Sequence, residues 1–400
     1  MKKSLYLILF VSVEAFCQLR PTISQSSQEI IFDSETPSII WNGATSGDYP
    51  QLNDVVKVDL FVPTTTNVNT YNHVPMCIEH NDKIHVMYTT SNANEGNPGG
   101  YVRYQVSEDG GVTWSVPVTL FDSPDDDTKD IATEDGRHNI PCRFVVVNGE
   151  LYAVAETDHL TSGVTNRVRT GVGAMARKIN DNGSFDTIFW IENVDGTLIA
   201  PVSFPTYQGY SFNIPLRTLL RDKMISDFRF QPTRYYSVPD TDPLYTRDGT
   251  ALIEPFMGKL PNGQYLKIWR VITGFAGVKK AQTSSNAITW NAVFETQIPD
   301  APSATEFLTL SNRTVCLVGN NQSTRTPLFF ALSSDGLTYE SADIYNIDTE
   351  TGGPSFSGSG KSNGVQYPAM TELNNGKIFV VYSVNKEGIR CSIFDKPILN

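Results

Sequence analysis

A short pattern of two apolar strands joined by an asparagine-containing turn occurs five times along the chain. The copies are VPMCIEHNDKIHVMYTT (74–90), IPCRFVVVNGELYAVAE (140–156), LIEPFMGKLPNGQYLKIW (252–269), EFLTLSNRTVCLVG (306–319) and YPAMTELNNGKIFVVYS (367–383). Their turn asparagines are separated by 67, 114, 50 and 63 residues, at Asn81, Asn148, Asn262, Asn312 and Asn375. Because the longest spacing is about two repeats, we expect one further unit between about 195 and 248.

Each hairpin is followed by two more strand-like segments. The third is seen in YVRYQVSEDG (101–110) and PLFFALSSDG (327–336), and the fourth in WSVPVTLF (114–121) and YESADIYN (339–346). Four strands in a repeat of roughly 55 residues are typical of a β-propeller. The 29 glycines and 23 prolines lie in short clusters along the chain, which agrees with many turns between short strands.

The predicted fold is therefore all-β, a β-propeller of four-stranded blades within one domain spanning 18–400. Six units are visible or inferred, and the strand-rich start (EIIFD, SIIWNG and VVKVDLFV) supplies a seventh. We expect seven blades, with six as the alternative. A sustained apolar period of 3.6 residues is missing from the sequence, and only PLRTLLRDKMI (215–225) resembles a short helix.

The amino-terminal segment 1–17 has the pattern of a secretory signal peptide. Lys2 and Lys3 precede the apolar run LYLILFVSV, and Ala15 and Cys17 are small residues at −3 and −1 to a cut before Gln18. The run is too short to span a bilayer. A lipoprotein signal with Cys17 as the lipidated residue is the alternative. We expect a secreted, extracellular or periplasmic protein that is not held in a membrane and is a monomer.

The formal net charge of −12 disfavours nucleic acid as a partner. An anionic ligand would need a local basic patch, and the segment 137–178 supplies six arginines or lysines against three acids. The preceding stretch DSPDDDTKDIATED (122–135) is acidic, and it can be interpreted as a solvated loop or as a calcium-binding loop. The cysteines of the mature chain, Cys77, Cys142, Cys316 and Cys391, are interpreted as small buried residues, and no disulfide is required.

The phrase SEDGGVTW (107–114) follows a third strand, and SSDGLTY (333–339) follows another at the same point of a later unit. SSNAITW (284–290) is a degenerate copy in which Asn286 replaces the acid. These phrases resemble the Asp box of the bacterial neuraminidase repeat, which caps the hairpin between the third and fourth strands of a blade. The resemblance implies a folding role for Asp109 and Asp335, because an aspartate can accept backbone N–H bonds in such a turn.

Histidines mark the predicted mouth of the propeller. His73 in NHVP and His138 in HNIP both enter a first strand, at what we take to be equivalent positions. His159 leaves the second strand of the blade that His138 opens, so antiparallel pairing should bring these two together. His80 and His85 are interpreted as ordinary hairpin residues. We therefore expect His138 and His159 to be catalytic, and His73 and Arg137 to bind substrate.

Sialidases share this architecture, but they require an arginine in an F/Y-R-I-P phrase on the first strand to hold the substrate carboxylate. This chain has NHVP and HNIP instead, and the sequence shows no clear second and third arginine in the usual context. The sequence therefore argues against sialidase chemistry while it keeps the propeller.

A histidine-lined propeller with Asp boxes resembles the ulvan lyases of polysaccharide lyase families 24 and 25, and is similar to the propeller α-L-rhamnosidases. In the lyases, two histidines on one blade act with a tyrosine and an arginine further on. That resemblance implies Tyr207 and Tyr210 as catalytic residues and Arg221 and Arg229 as substrate-binding residues, all in the segment 203–230. The chemistry would be removal of the C5 proton of a uronate, with its carboxylate neutralised by a cation.

We therefore expect a polysaccharide lyase that cleaves an ulvan-like anionic polysaccharide by β-elimination. An exo-acting glycoside hydrolase of rhamnosidase or sialidase type and a non-catalytic glycan-binding propeller are the alternatives. A hydrolase usually needs a pair of carboxylates, and the sequence shows no obvious pair at the mouth. No cofactor is required, although a structural calcium, or a zinc ion held by His73, Cys77, His138 and Cys142, is a further interpretation.

Overall fold

A computed structural model describes residues 39–44, 47–66, 68–95, 99–122, 136–160, 169–193, 216, 219–220, 244–245, 251–271, 277–287, 290–350 and 352–399. The strands are β1 (Ile40–Trp41), β2 (Val56–Phe61), β3 (Tyr71–His80), β4 (Lys83–Ser91), β5 (Tyr101–Ser107), β6 (Val118–Phe121), β7 (Gly136–Val147), β8 (Glu150–Leu160), β9 (Arg169–Ile179), β10 (Phe189–Asn193), β11 (Leu244–Tyr245), β12 (Ala251–Lys259), β13 (Tyr265–Val271), β14 (Val278–Ser284), β15 (Phe294–Pro299), β16 (Glu306–Thr309), β17 (Val315–Asn320), β18 (Leu328–Ser333), β19 (Thr338–Tyr339), β20 (Ile344–Asp348), β21 (Val365–Glu372), β22 (Lys377–Val384) and β23 (Gly388–Asp395). A 3-10 turn, Ser341–Asp343, precedes β20.

The described strands form five antiparallel blades, which confirms the predicted all-β propeller with four-stranded blades. The blades are β3–β6, β7–β10, β12–β15 with the short β11 beyond β12, β16 to β18 with β20, and β21–β23 with β2. Their first strands lie side by side in the order β7, β3, β21, β16 and β12. The mouth of the propeller is therefore lined by segments that are far apart in the sequence.

The predicted number of blades is wrong, because the described part of the chain contains five rather than seven or six. The amino-terminal segments do not build a seventh blade. VVKVDLFV instead supplies β2, which pairs with β23 as the outer strand of the last blade, and SIIWNG supplies β1, which pairs in parallel with β19. An outer strand from the other chain end covers an edge that would otherwise be open. The unit expected between about 195 and 248 lies almost entirely outside the described residues.

The predicted hairpin turns are confirmed, and asparagine serves them in two ways. Asn81 and Asn148 adopt left-handed backbone with φ of 50° and 53°, which asparagine tolerates better than most residues. In the later turns the asparagine side chain accepts a backbone N–H bond two residues on. These bonds are Gln264 N to Asn262 Oδ1 at 2.9 Å, Thr314 N to Asn312 Oδ1 at 3.1 Å, and Lys377 N to Asn375 Oδ1 at 3.0 Å.

The Asp boxes have the folding role that the resemblance implied. Asp109 accepts the Thr113 hydroxyl at 2.6 Å and the backbone N–H groups of Val112 and Thr113. These hydrogen bonds, with that of the Thr113 hydroxyl the largest, lower the pKa of Asp109 to about 2. Trp114 packs against Phe379 of the adjacent blade, with ring centres 5.8 Å apart. The turn thus fixes an aromatic ring between two blades.

The prediction of small buried cysteines is confirmed for three of the four. Cys77 is half-buried, and Cys142, Cys316 and Cys391 are buried. None of the four forms a disulfide with another described cysteine.

An ionic cluster centred on the buried carboxylate of Asp348 holds β2 in place. Asp348 of β20 accepts a hydrogen bond from Lys57 Nζ of β2 at 2.9 Å and another from the Tyr382 hydroxyl at 2.8 Å. The Asp348 carboxylate also lies 3.3 Å from Arg390 of β23. Arg390 Nε also donates to Asp59 of β2 at 2.6 Å. The cluster therefore links β2, the last strand β23 and the preceding blade.

Replacing Asp348 by Asn should lower the free energy of unfolding at pH 7 by about 2 kcal/mol, because it leaves the Lys57 and Arg390 charges without their shared buried partner. Burial alone would raise the pKa of Asp348, but the bonds from Lys57 and Tyr382 and the Arg390 charge bring it below its ordinary value. The wild-type contribution is then complete above the unfolded-state pKa and is lost as the pH falls through the lower folded-state pKa.

Urea unfolding of both proteins between pH 7 and pH 3 tests this expectation. The Asp348→Asn protein should lose less stability on acidification than the wild type. Asp395→Asn is the matched control. Asp395 forms an ion pair with Lys377 of the neighbouring strand, but both side chains are exposed. That change should cost less than about 1 kcal/mol. An equal effect of the two substitutions would contradict the role of the buried cluster.

Candidate functional site

Three first strands share a bulge built on a proline. In β3, β12 and β21 the ladder with the second strand skips two residues, which are Val74–Pro75, Glu254–Pro255 and Tyr367–Pro368. Proline cannot donate a ladder bond, so regular pairing is interrupted at this point. The residue before each proline has a φ of 50° to 55°. A bulge of this kind changes the direction in which a side chain leaves the strand.

The bulges of β12 and β21 bring a carboxylate and a phenol into contact. The Tyr367 hydroxyl lies 3.1 Å and 3.0 Å from the two carboxylate oxygens of Glu254. Arg270, at the end of β13, donates from Nη1 to the Tyr367 hydroxyl at 2.7 Å and to Glu254 at 2.8 Å. Tyr367 is 5% exposed and Glu254 is 1% exposed. A tyrosine hydroxyl is thus held between a buried base and a guanidinium.

Further cationic and imidazole groups surround the Tyr367 ring. The Arg325 guanidinium lies 5.7 Å and the Lys386 ammonium 6.0 Å from the ring centre. The His73 ring meets it edge-on at 4.2 Å, and His73 Nδ1 is 2.7 Å from the Ser383 hydroxyl. Arg325 is oriented by hydrogen bonds to Gln366 and to Ser362. The side chains around the ring, which together form what we call the pocket, therefore carry mainly positive charge.

A second carboxylate reaches this pocket through an ion pair. Glu95, on the loop after β4, lies 2.6 Å from the ammonium of Lys386. Among the described residues whose contacts with this site are given, three permanent cations then stand against two carboxylates. This balance is the reverse of that of the whole chain, whose net charge is −12. The pocket is suited to an anionic ligand.

Backbone strain is concentrated at the same place. Among the described residues other than glycine, asparagine and aspartate, those with positive φ are Val74, Glu254, Ala287, Arg313, Arg325, Tyr367 and Lys386. One of these seven is Tyr367 itself, and three others, Glu254, Arg325 and Lys386, surround its side chain. Left-handed backbone costs such residues roughly 1–2 kcal/mol each and is typically retained where a function requires it. The cluster of outliers supports this pocket as the functional site.

The structure places one predicted site residue, His73, in the pocket. His138 is buried in β7. The bulge of β3 follows His73, whereas the register shift of β7 follows Pro141, so the two histidines are not at equivalent positions as the sequence analysis assumed. In the ladder of β7 and β8, His138 pairs with Asp158, and His159 pairs with Arg137 on the neighbouring rung.

The remaining predicted site residues have no described side chains. The side chains of His159 and Arg137, and the whole of Tyr207, Tyr210, Arg221 and Arg229, lie outside what the structure describes. So does the acidic stretch 123–135. His85 agrees with its interpretation as a hairpin residue. It is 2.6 Å from the Tyr104 hydroxyl, and burial lowers its pKa to about 4.

The residues that sequence analysis missed are Glu254, Arg270, Arg325 and Tyr367. A signal was present, because Glu254 and Tyr367 both stand directly before a proline on a first strand, as Val74 does in NHVP. The two arginines had no such local mark. The sequence analysis found no second and third arginine in the usual context, yet Arg270 and Arg325 converge on one tyrosine from different blades.

Two features are absent from the described residues. Within these ranges, no group of three or more His, Cys, Asp and Glu side chains is arranged to hold a metal ion. No helix in the described part of the chain is long and apolar enough to cross a membrane.

Comparison with known families agrees with the repeat analysis. Residues 187–380 match the BNR repeat-like domain, and residues 55–227 match a family model described as an N-terminal beta propeller. Each match covers less than half of the chain, and both agree with repeats that build a β-propeller. A search among curated proteins finds no match.

Several solved structures with the same fold are sialidases. One sialidase has a TM-score of 0.68 and 22% identity, over 90% of this chain and 35% of its own length. The NanB sialidase from Streptococcus pneumoniae has a TM-score of 0.52 and 12% identity, over 84% and 70%. The leech intramolecular trans-sialidase has a TM-score of 0.54 and 11% identity, over 85% and 70%. At these identities the likeness establishes a shared fold.

If Arg325 is kept in a strained conformation for its side chain, glycine should be tolerated there better than alanine. Both substitutions remove the guanidinium, but only glycine adopts a φ of 56° without strain. We expect Arg325→Gly to be more stable than Arg325→Ala by about 1 kcal/mol. Thermal and urea unfolding measure the difference. At Lys377, a strand residue, the order should be reversed, and the same order at both positions would contradict the strain.

Proposed function

We propose that this protein is an exo-acting glycoside hydrolase for a sugar that carries a carboxylate, with Tyr367 as its nucleophile and Glu254 as the base that activates it. The observation that carries the proposal is the contact of the Tyr367 hydroxyl with both Glu254 oxygens and with Arg270. A nucleophile within hydrogen-bond reach of a base that is itself held by a third group is the usual arrangement for covalent catalysis.

The reaction follows from these contacts. As the Tyr367 oxygen attacks the anomeric carbon, its proton passes to Glu254, the bond to the leaving oxygen breaks, and that oxygen takes up a proton from the medium. Arg270 stabilises the negative charge on the phenolic oxygen. Water then attacks the anomeric carbon of the glycosyl–tyrosine intermediate and loses a proton to the medium, the bond to Tyr367 breaks, and Glu254 returns its proton to the phenolate. Attack from opposite faces in the two steps retains the anomeric configuration.

A neutral nucleophile suits an anionic sugar. An ionised carboxylate in place of Tyr367 would repel a substrate carboxylate across a few ångströms of poorly solvated pocket. A phenol remains uncharged until it attacks, and sialidases are the glycosidases known for a tyrosine nucleophile. Arg325 donates to Gln366 and to Ser362, and its planar fork is suited to a substrate carboxylate.

Two of the arguments that favoured the lyase over a hydrolase no longer hold. One was that the mouth lacks carboxylates, but Glu254 and Glu95 both reach the pocket. The other was that arginines for a carboxylate were missing, but Arg270 and Arg325 both lie against Tyr367. The fold likeness to sialidases also favours the hydrolase alternative. The identity of the sugar, and of the glycan that carries it, is part of this proposal.

Tyr367→Phe should reduce the kcat for an activated glycoside of a sugar acid by about a thousandfold or more, because phenylalanine has no nucleophile. Glu254→Gln should reduce it by about a hundredfold or more, because the general base is lost. The substrates are the 4-methylumbelliferyl glycosides of N-acetylneuraminate and of glucuronate, followed by fluorescence. Tyr345→Phe, on β20, is the matched control and should keep full activity. Full activity of Tyr367→Phe would overturn the proposed nucleophile.

With natural polysaccharides, the products separate the three function classes. We expect release of reducing sugar from anionic glycans without the ultraviolet absorbance of an unsaturated uronate, since hydrolysis leaves no C4–C5 double bond. A rise in that absorbance with ulvan or another uronate polymer would instead establish elimination. Binding of the glycans without either product would identify a glycan-binding module.

A further inference from the structure

Lys386 is a buried lysine at the tip of the hairpin that joins β22 to β23. Its ammonium lies 6.0 Å from the centre of the Tyr367 ring and 2.6 Å from the Glu95 carboxylate. The backbone N–H of Asn72, next to His73, donates to the Lys386 carbonyl at 2.9 Å. The hairpin tip is therefore fastened to the first blade, and the ammonium is held beside the proposed nucleophile.

The backbone at Lys386 is unfavourable for lysine. Asn385 and Lys386 both have left-handed backbone, with φ of 57° and 56°. Asparagine tolerates this conformation, but lysine gains nothing from it and glycine would serve the turn better. A lysine that is both strained and buried at this position points to a requirement for its side chain.

A second buried lysine nearby shows what a purely structural role looks like. The Lys361 ammonium is 2.8 Å from Glu387 and also donates to the Phe356 carbonyl and the Thr70 hydroxyl. Its side chain is 3% exposed and that of Glu387 is 7% exposed, so the whole pair is enclosed. These contacts tie the 352–364 segment to the last hairpin.

The Lys386 pair is different in its exposure. The Lys386 side chain is 6% exposed, whereas that of Glu95 is 21% exposed and belongs to a loop of another blade. Glu95 can therefore turn towards water while Lys386 stays in the pocket. The Arg325 guanidinium and the Lys386 ammonium lie 5.7 Å and 6.0 Å from the centre of the Tyr367 ring, so both cations are within reach of an anionic group bound beside that ring.

We propose that Lys386 is a substrate-binding residue, whose ammonium binds the sugar carboxylate together with Arg325 after that carboxylate displaces Glu95. This inference rests on the proposed function for the identity of the ligand, a sugar acid. Lys386, a cation of the last hairpin, then binds the carboxylate in a chain whose NHVP phrase has no arginine for this purpose and presents His73 instead. Glu95 is then a counter-charge that keeps the ammonium neutralised in the free protein.

Equilibrium binding tests the inference without any need for turnover. The Tyr367→Phe protein is titrated calorimetrically with N-acetylneuraminate and galacturonate, and with the methyl ester of each. Lys386→Met should weaken binding of the preferred acid by about tenfold or more and leave the ester unchanged, because only the acid has a charge for the ammonium to bind. Lys386→Arg should restore most of the affinity. Glu95→Gln should strengthen binding of the acid, since its competitor is removed.

Lys361→Met is the matched control, because it removes a buried, ion-paired lysine from the same region. It should leave the acid-to-ester ratio unchanged, with folding checked by thermal unfolding. Equal loss of acid and ester in Lys386→Met, or no binding of either acid to the Tyr367→Phe protein, would overturn the inference. Lys386-dependent binding of an acid by a protein that hydrolyses none of its glycosides would instead reject the hydrolase and keep the anion site.

Discussion

Pairing of β2 with β23 completes the blade that carries Tyr367, and the proposed site depends on the position of that blade. The two strands lie far apart in the sequence, and Asp348 binds one residue from each through Lys57 and Arg390. The first strand of this blade, β21, lies beside β3 of another blade. Without that contact, His73 of the first blade would not meet Tyr367 of the last.

The proposed site is made of strained positions on different blades. Glu254 and Tyr367 precede prolines in matching bulges of two blades, and Arg270 bonds to both. Proline restricts the residue before it, so a left-handed conformation there is maintained by the surrounding structure rather than by local preference. The same element that interrupts the ladder therefore directs a reactive side chain towards its partner on another blade.

Charge is distributed unevenly between the pocket and the rest of the molecule. The chain as a whole is strongly acidic, yet Arg270, Arg325 and Lys386 gather around one tyrosine. Such a local reversal of charge attracts anions in a way that net charge does not reveal. The basic segment 137–178 that the sequence analysis singled out contributes no described residue to this cluster.

The sequence by itself determined the architecture of the blades. Hairpin turns at asparagines, four strands in each repeat and the Asp boxes around Asp109 and Asp335 are local features, so their chemistry is readable from a few neighbouring residues. The number of blades was not readable, because VVKVDLFV has the pattern of a strand whether it opens a blade or completes one. The contact of Glu254, Arg270 and Tyr367 was also decided by tertiary structure alone. Residues from different blades meet only when the blades pack together, and no local pattern encodes the distance between them.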